Sequence, residues 1–170
     1  GLAQPFSLEY IPGTWIEGIQ ISKGASSVAN GPQSMTGQIN AELVKPATDA
    51  PLFINLFANH LGRLEGNLHL NKAWSDNMAT GFLFHASQQD QEIDGNKDNF
   101  RDQPLKNQLN GMYRMFYQAG PLEGQLNIHG IRHRQSGGQL DKIQDPWRID
   151  QNNDRLEVFG KNGYVFSQDR

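Results

Sequence analysis

The chain has 170 residues, no cysteine, and a formal net charge of -3 from 18 acidic and 15 basic side chains. With a mean hydropathy of -0.64 and no apolar run near the roughly 20 residues a membrane helix needs, helical membrane spans are excluded. The dispersed lysines and arginines exclude a stripe that tracks a phosphate backbone, so nucleic acid is not an expected partner, and the missing cysteines exclude disulfides and thiolate metal sites.

In chain order, the first predicted element is WIEGIQIS from Trp15, which alternates with Ile19 and Ile21 on one side and Gln20 and Ser22 on the other, as a strand does. ISKGASSVANGPQSMTGQIN (21–40) then spaces Gly24, Gly31 and Gly37 around small uncharged residues. GQINAELV (37–44) alternates again as a second strand. KPATDAP (45–51) contains Pro46 and Pro51 and reads as a linker, because proline cannot donate to a sheet ladder.

Beyond the linker, strand follows strand. LFINLFANH (52–60) puts Leu52, Ile54, Leu56 and Ala58 on one face. RLEGNLHLNKAW (63–74) puts Leu64, Leu68 and Leu70 opposite Glu65, Asn67, His69 and Asn71. A turn at 75–77 leads to MATGFLFHASQQ (78–89), where Phe82 and Phe84 oppose Gly81 and His85. NQLNGMYRMFYQ (107–118), EGQLNIHGIRH (123–133) and RLEVFGKNGYVF (155–166) complete six strands, and no segment has helical periodicity. Short connections at 75–77 and 120–123 alternate with long polar ones at 89–106 and 135–154. Outer-membrane barrels have short periplasmic turns and long extracellular loops, and their strands run about 9 to 11 residues.

WIEGIQISKGASSVANGPQSMTGQIN resembles the end of the plug domain in TonB-dependent outer-membrane receptors, where a strand of the form I-E-x-I-x-V leads to a basic residue and glycine, small residues, another glycine, and G-x-I-N. The matching residues are Ile16, Glu17, Ile19, Ile21, Lys23, Gly24, Ser26, Ser27, Gly31, Gly37, Ile39 and Asn40. Ala25 stands where the family often has proline, and Asn30 where tyrosine often precedes the second glycine. The resemblance implies an all-β chain: the C-terminal part of a plug (1–45), a linker (46–51), and the first antiparallel strands of a large transmembrane β-barrel (52–170). It implies an interior piece of a longer protein, in keeping with an opening GLAQPFSLEY that lacks the basic start and apolar core of a signal peptide.

The resemblance further implies a non-enzymatic receptor in the outer membrane of a Gram-negative bacterium, taking a scarce nutrient such as a ferric siderophore or other metal chelate into the periplasm. Its partners would be the TonB energy-transducing complex, outer-membrane lipid and the small ligand, with no resident cofactor. Gly24, Ser26, Ser27, Gly31, Gly37, Ile39 and Asn40 would be plug-motif residues. Glu65, Asn67, His69 and His85 would face the lumen, while Leu64, Leu68, Leu70, Phe82 and Phe84 face lipid.

Three groups invite a metal reading. A hairpin about 75–77 sets His69 and His85 diagonally adjacent on one face, where two histidines alone make a poor site and hydrogen-bonded polar packing is the plainer role. Met112, Met115 and His129 suggest copper, although methionine in a strand more often fills apolar space. Asp94, Asn96 and Asp98 alternate oxygen ligands like the start of a calcium loop, without the glycine and distal glutamate of an EF-hand, so the choice is between a loop calcium and a solvated acidic loop. A soluble all-β binding or adhesion module, and an outer-membrane barrel without energy coupling, are the competing readings.

Overall fold

The computed structural model describes residues 10–23 and 37–166, and these form an all-β molecule of two antiparallel sheets. A 3-10 turn, Gly13–Trp15, precedes β1 (Ile16–Ser22), which pairs with β2 (Gln38–Leu43). The second sheet contains β3 (Leu52–Ala58), β4 (Arg63–Ser75), β5 (Met78–Gln89), β6 (Leu105–Ala119), β7 (Leu122–Gly138) and β8 (Arg148–Tyr164). Each strand pairs with its sequence neighbour, in the order β3-β4-β5-β6-β7-β8.

The alternation of the sequence survives as two chemically distinct faces. Successive side chains of a strand point to opposite sides, so the paired register aligns residues of one kind into rows across the sheet. One such row runs Asn67, His85, Asn110, Ile131, Arg155, and the parallel row on the other side of the sheet runs Leu68, Phe84, Gly111, Gly130, Leu156. The first face is covered by the N-terminal segment and is polar; the second is open and apolar.

The last three strands are longer than their alternation predicts. β7 continues to Gly138 and β8 starts at Arg148, so much of the expected loop over 135–154 is strand, leaving 139–147 as the connection. Period-2 alternation needs one apolar face, and both faces are polar in this part of the hairpin. The short connections at 76–77 and 120–121 lie at one end of the sheet, and those at 59–62, 90–104 and 139–147 at the other.

Candidate functional site: the two faces of the six-stranded sheet

Asn67, His69, Asn71, His85, Ser87, Gln108, Asn110, Arg114, His129 and His133 are buried polar residues of the covered face. Burial of so many polar groups is tolerable only where they meet partners. His85 Nδ1 lies 2.7 Å from Asn67 Oδ1 and acts as the donor that a carbonyl oxygen demands, leaving Nε2 to accept from Ser87 Oγ at 3.2 Å. Asn67 in turn donates to Asn55 and Glu65, so the four predicted lumen residues sit on this one face. His69 is joined instead to Asp49 of the linker, Nδ1 to Oδ2 3.3 Å, and stacks on Phe53. Neighbouring Asn71 donates to the same Asp49 oxygen at 2.8 Å.

Further up the chain, the N-terminal segment is anchored by residues that alternation alone does not single out. Trp15 is fully buried in the 3-10 turn, rather than opening the first strand, and packs against Leu83 and Met112 with Leu43 and Val44 alongside. Its ring meets His129 edge-on at 5.7 Å. Tyr10 meets His133 in the same way at 5.4 Å, while its backbone carbonyl accepts from Asn110 Nδ2 at 3.0 Å and its hydroxyl accepts from Asn153 at 2.8 Å. Arg114 donates to the carbonyl of Val44. The signal for Arg114 was a lone charge in NGMYRMFY, at the parity of Asn110 and Met112.

One close approach sets the linker on this face. A Cβ at Gly81 would lie 2.8 Å from Pro46 Cγ and 2.5 Å from Asn71 Oδ1, so only glycine lets the linker pass there. Among the described residues, Trp15 Nε1, His69 Nε2, Asn71 Oδ1, Asn110 Oδ1 and His129 Nε2 are buried without a hydrogen-bond partner.

The open face has the opposite chemistry. Leu52, Ile54 and Leu56 on β3, Leu64 and Leu70 on β4, Phe82, Leu109, Tyr113, Ile128, Leu156 and Val158 are all exposed, Leu56 to 80%. Trp74, Tyr117 and Tyr164 lie at the short-turn end of this face, where Lys72 stacks on Trp74 at 3.9 Å and the Tyr117 hydroxyl bonds Asn162. The upper edge of the apolar band is slanted against the hydrogen-bond rows. That edge is Leu64 on β4 but Leu156 on β8, and Leu156 is level with Leu68 through the register. That is a fall of about 14 Å over four strand spacings, about 19 Å, or a slope of about 35°.

At the long-loop end, two connections are clasped together. Arg101, 1% exposed at its side chain, bonds Glu92 and Asp141, each at 2.5 Å, and Arg148 reaches the same Asp141 oxygen. Phe100 and Gln139 form a lone antiparallel bridge, and the Phe100 and Trp147 rings lie 6.4 Å apart.

Among the predicted site residues, Gly24, Ser26, Ser27 and Gly31 lie outside the described residues. Gly37 has a φ of 115°, and a Cβ there would stand 2.9 Å from the Ser22 carbonyl, so the entry to β2 requires glycine. Ile39 pairs with Ile21, both exposed, and Asn40 reaches Gln20 at 3.4 Å. Asp94 accepts from the backbone N–H groups of Asp98 and Asn99, and Asp98 accepts from Phe100 at 2.8 Å. The Phe100 N–H holds the exposed Asp98 carboxyl below its ordinary pKa. Thus the three loop residues come together as a turn that spends its carboxylates on backbone donors. Met112 lies beside Trp15 whereas Met115 is on the opposite face, so these methionines and His129 do not converge. Among the described residues, no three His, Asp or Glu side chains group as a metal cage.

A scan against protein-family models, a search of the curated proteins and a search of the solved structures each find no match. What bears on function is therefore the chemistry of the two sheet faces.

Proposed function

We propose that this chain supplies the closing part of a plug and six wall strands of a TonB-dependent outer-membrane receptor, which imports a scarce nutrient, a ferric siderophore or other metal chelate, into the periplasm. The observation that carries this reading is the apolar band on the open face, with its slanted upper edge. Strands of a membrane barrel tilt by about 35–45°, so a band parallel to the bilayer must cross the hydrogen-bond rows obliquely. From Leu64 to Trp74 the strand rises about 34 Å, or about 26 Å along the membrane normal at a tilt of ~40°, against the ~25 Å expected of a barrel's apolar belt. The aromatic edge at Trp74, Tyr117 and Tyr164 matches an interfacial girdle.

The covered face supports the plug assignment. Residues 10–15 and 43–44, and the linker at 46–49, lie against polar residues of the wall through one small apolar cluster and a set of hydrogen bonds. Water can replace hydrogen bonds far more cheaply than it can replace a dry apolar contact, so such a plug can shift under load. β3 and β8 present open edges, and in lipid every backbone group must be paired, so further strands would complete the wall. About 22 strands enclose a plugged lumen in barrels of this type.

The test is made on the native protein in its cells. It is expected in the outer-membrane fraction, with gel mobility that changes on heating, and uptake of labelled ferric chelate should stop when a protonophore collapses the proton gradient. A soluble species with heat-independent mobility would overturn the reading in favour of a soluble binding module. Uptake indifferent to the protonophore would leave a barrel without energy coupling.

A further inference from the structure

The open face contains one cavity that the wall role does not require. A depression of about 690 Å³ lies between β3 and β7 near the long-loop end, bounded by Leu56, Leu64, Gly66, Ala86 and Leu109, with Arg132 on its rim. Its floor is low because Gly66 and Ala86 face each other across β4 and β5, in the same row as the larger Leu56 and Leu109. The apolar walls suit a hydrocarbon chain, and the rim is not apolar.

Two guanidinium groups meet there over a single carboxylate. Arg132 Nε donates to Asp154 Oδ1 at 3.2 Å, and Arg134 donates to the other oxygen of Asp154 and to the carbonyls of His133 and Asn153. The cluster of two arginines and one aspartate carries a net positive charge. Arg134 is held by three partners, whereas the terminal nitrogens of Arg132 bond no other described group, and its side chain is 69% exposed. A planar guanidinium fork beside an apolar groove recognises an anionic oxygen cluster attached to a hydrocarbon.

We propose that this groove is a specific site for an anionic, phosphate-bearing membrane lipid, an acyl chain lying over Gly66 and Ala86 and the phosphate on Arg132. The site rests on the open face being the lipid-facing one, at the level where the apolar band gives way to polar residues on β5, β6 and β7. Arg134 is a positioning residue, fixing Asp154 and through it the Arg132 fork.

Native mass spectrometry of the intact protein in detergent micelles, titrated with phosphatidylglycerol or phosphatidylcholine, reads the site directly. The parent should retain phosphatidylglycerol in preference to phosphatidylcholine. Arg132→Gln should weaken phosphatidylglycerol retention about tenfold, the loss of a charge-assisted bond, and leave phosphatidylcholine unchanged. Ala86→Phe, which fills the groove, should weaken it as well, while Val158→Phe on β8 should not. Equal retention of the two lipids by the parent, or Arg132→Gln and Ala86→Phe variants that bind like the parent, overturns the proposal. Membrane fractionation of each variant separates this outcome from the other failure: a protein absent from the membrane fraction overturns the lipid-facing assignment itself.

Discussion

Replacing Trp15 with alanine removes the large apolar side chain that buries itself against Leu83 and Met112. A buried aromatic lost to alanine costs about 3–5 kcal/mol. Because the six-stranded sheet keeps its ladders without Trp15, the loss should fall on docking alone. Hydrogen exchange should therefore speed up in β1 and β2 while β4 to β7 keep their protection; uniform loss of protection would contradict this division. Trp15 belongs with His129, Tyr10 and His133 in a set whose partners lie far away in sequence, which is why alternation could not reveal them. Local pattern reports which face a residue occupies, and says nothing of what covers that face.

Among the elements, the clasp between the connections 90–104 and 139–147 depends on Arg101. The Glu92 and Asp141 carboxylates are 30% and 56% exposed, so removing Arg101 leaves them to water and to Arg148, and the loss is that of a hydrogen bond to a charged group, about 1.5–3 kcal/mol. Arg101→Met should free both connections together, seen as new cleavage sites in 90–104 and 139–147 under limited proteolysis, with the strands still protected. Cleavage in only one connection would show that the two are independent. The strands themselves were legible from sequence where one face is apolar: LFINLFANH, RLEGNLHLNKAW and MATGFLFHASQQ match β3, β4 and β5 closely. The outer parts of β7 and β8 were not, because Arg132, Arg134, Asp154 and Asn152 make the open face as polar as the covered one there. The sequence at Asp94 and Asp98 displays the oxygens but not the backbone donors that occupy them.

For the whole molecule, the two-faced sheet makes depth a measurable variable. Arginine on the lipid face of a barrel costs about 2–4 kcal/mol at mid-depth and about 0–1 near the interface. On the proposal that the open face meets lipid, Leu70→Arg, in the middle of the band, should lower stability in bilayers by the larger amount, and Leu64→Arg, at its upper edge, by the smaller. Equilibrium unfolding from phosphatidylcholine vesicles measures both. Equal costs would remove the bilayer from the explanation, since a protein–protein contact has no reason to grade with height on the strand.

Neighbour-only pairing of β3 to β8 also dictates an order of events. Closing a hairpin between adjacent strands spans at most the connection 90–104, and loop-closure cost grows slowly with length, so the sheet can zip up one strand at a time. Tyr10 must instead find Asn110 and Asn153, 100 and 143 residues away. Those two side chains reach their places only when β6 and β8 are already paired with β7, so the six-stranded sheet is the template and the N-terminal segment is the last piece to arrive.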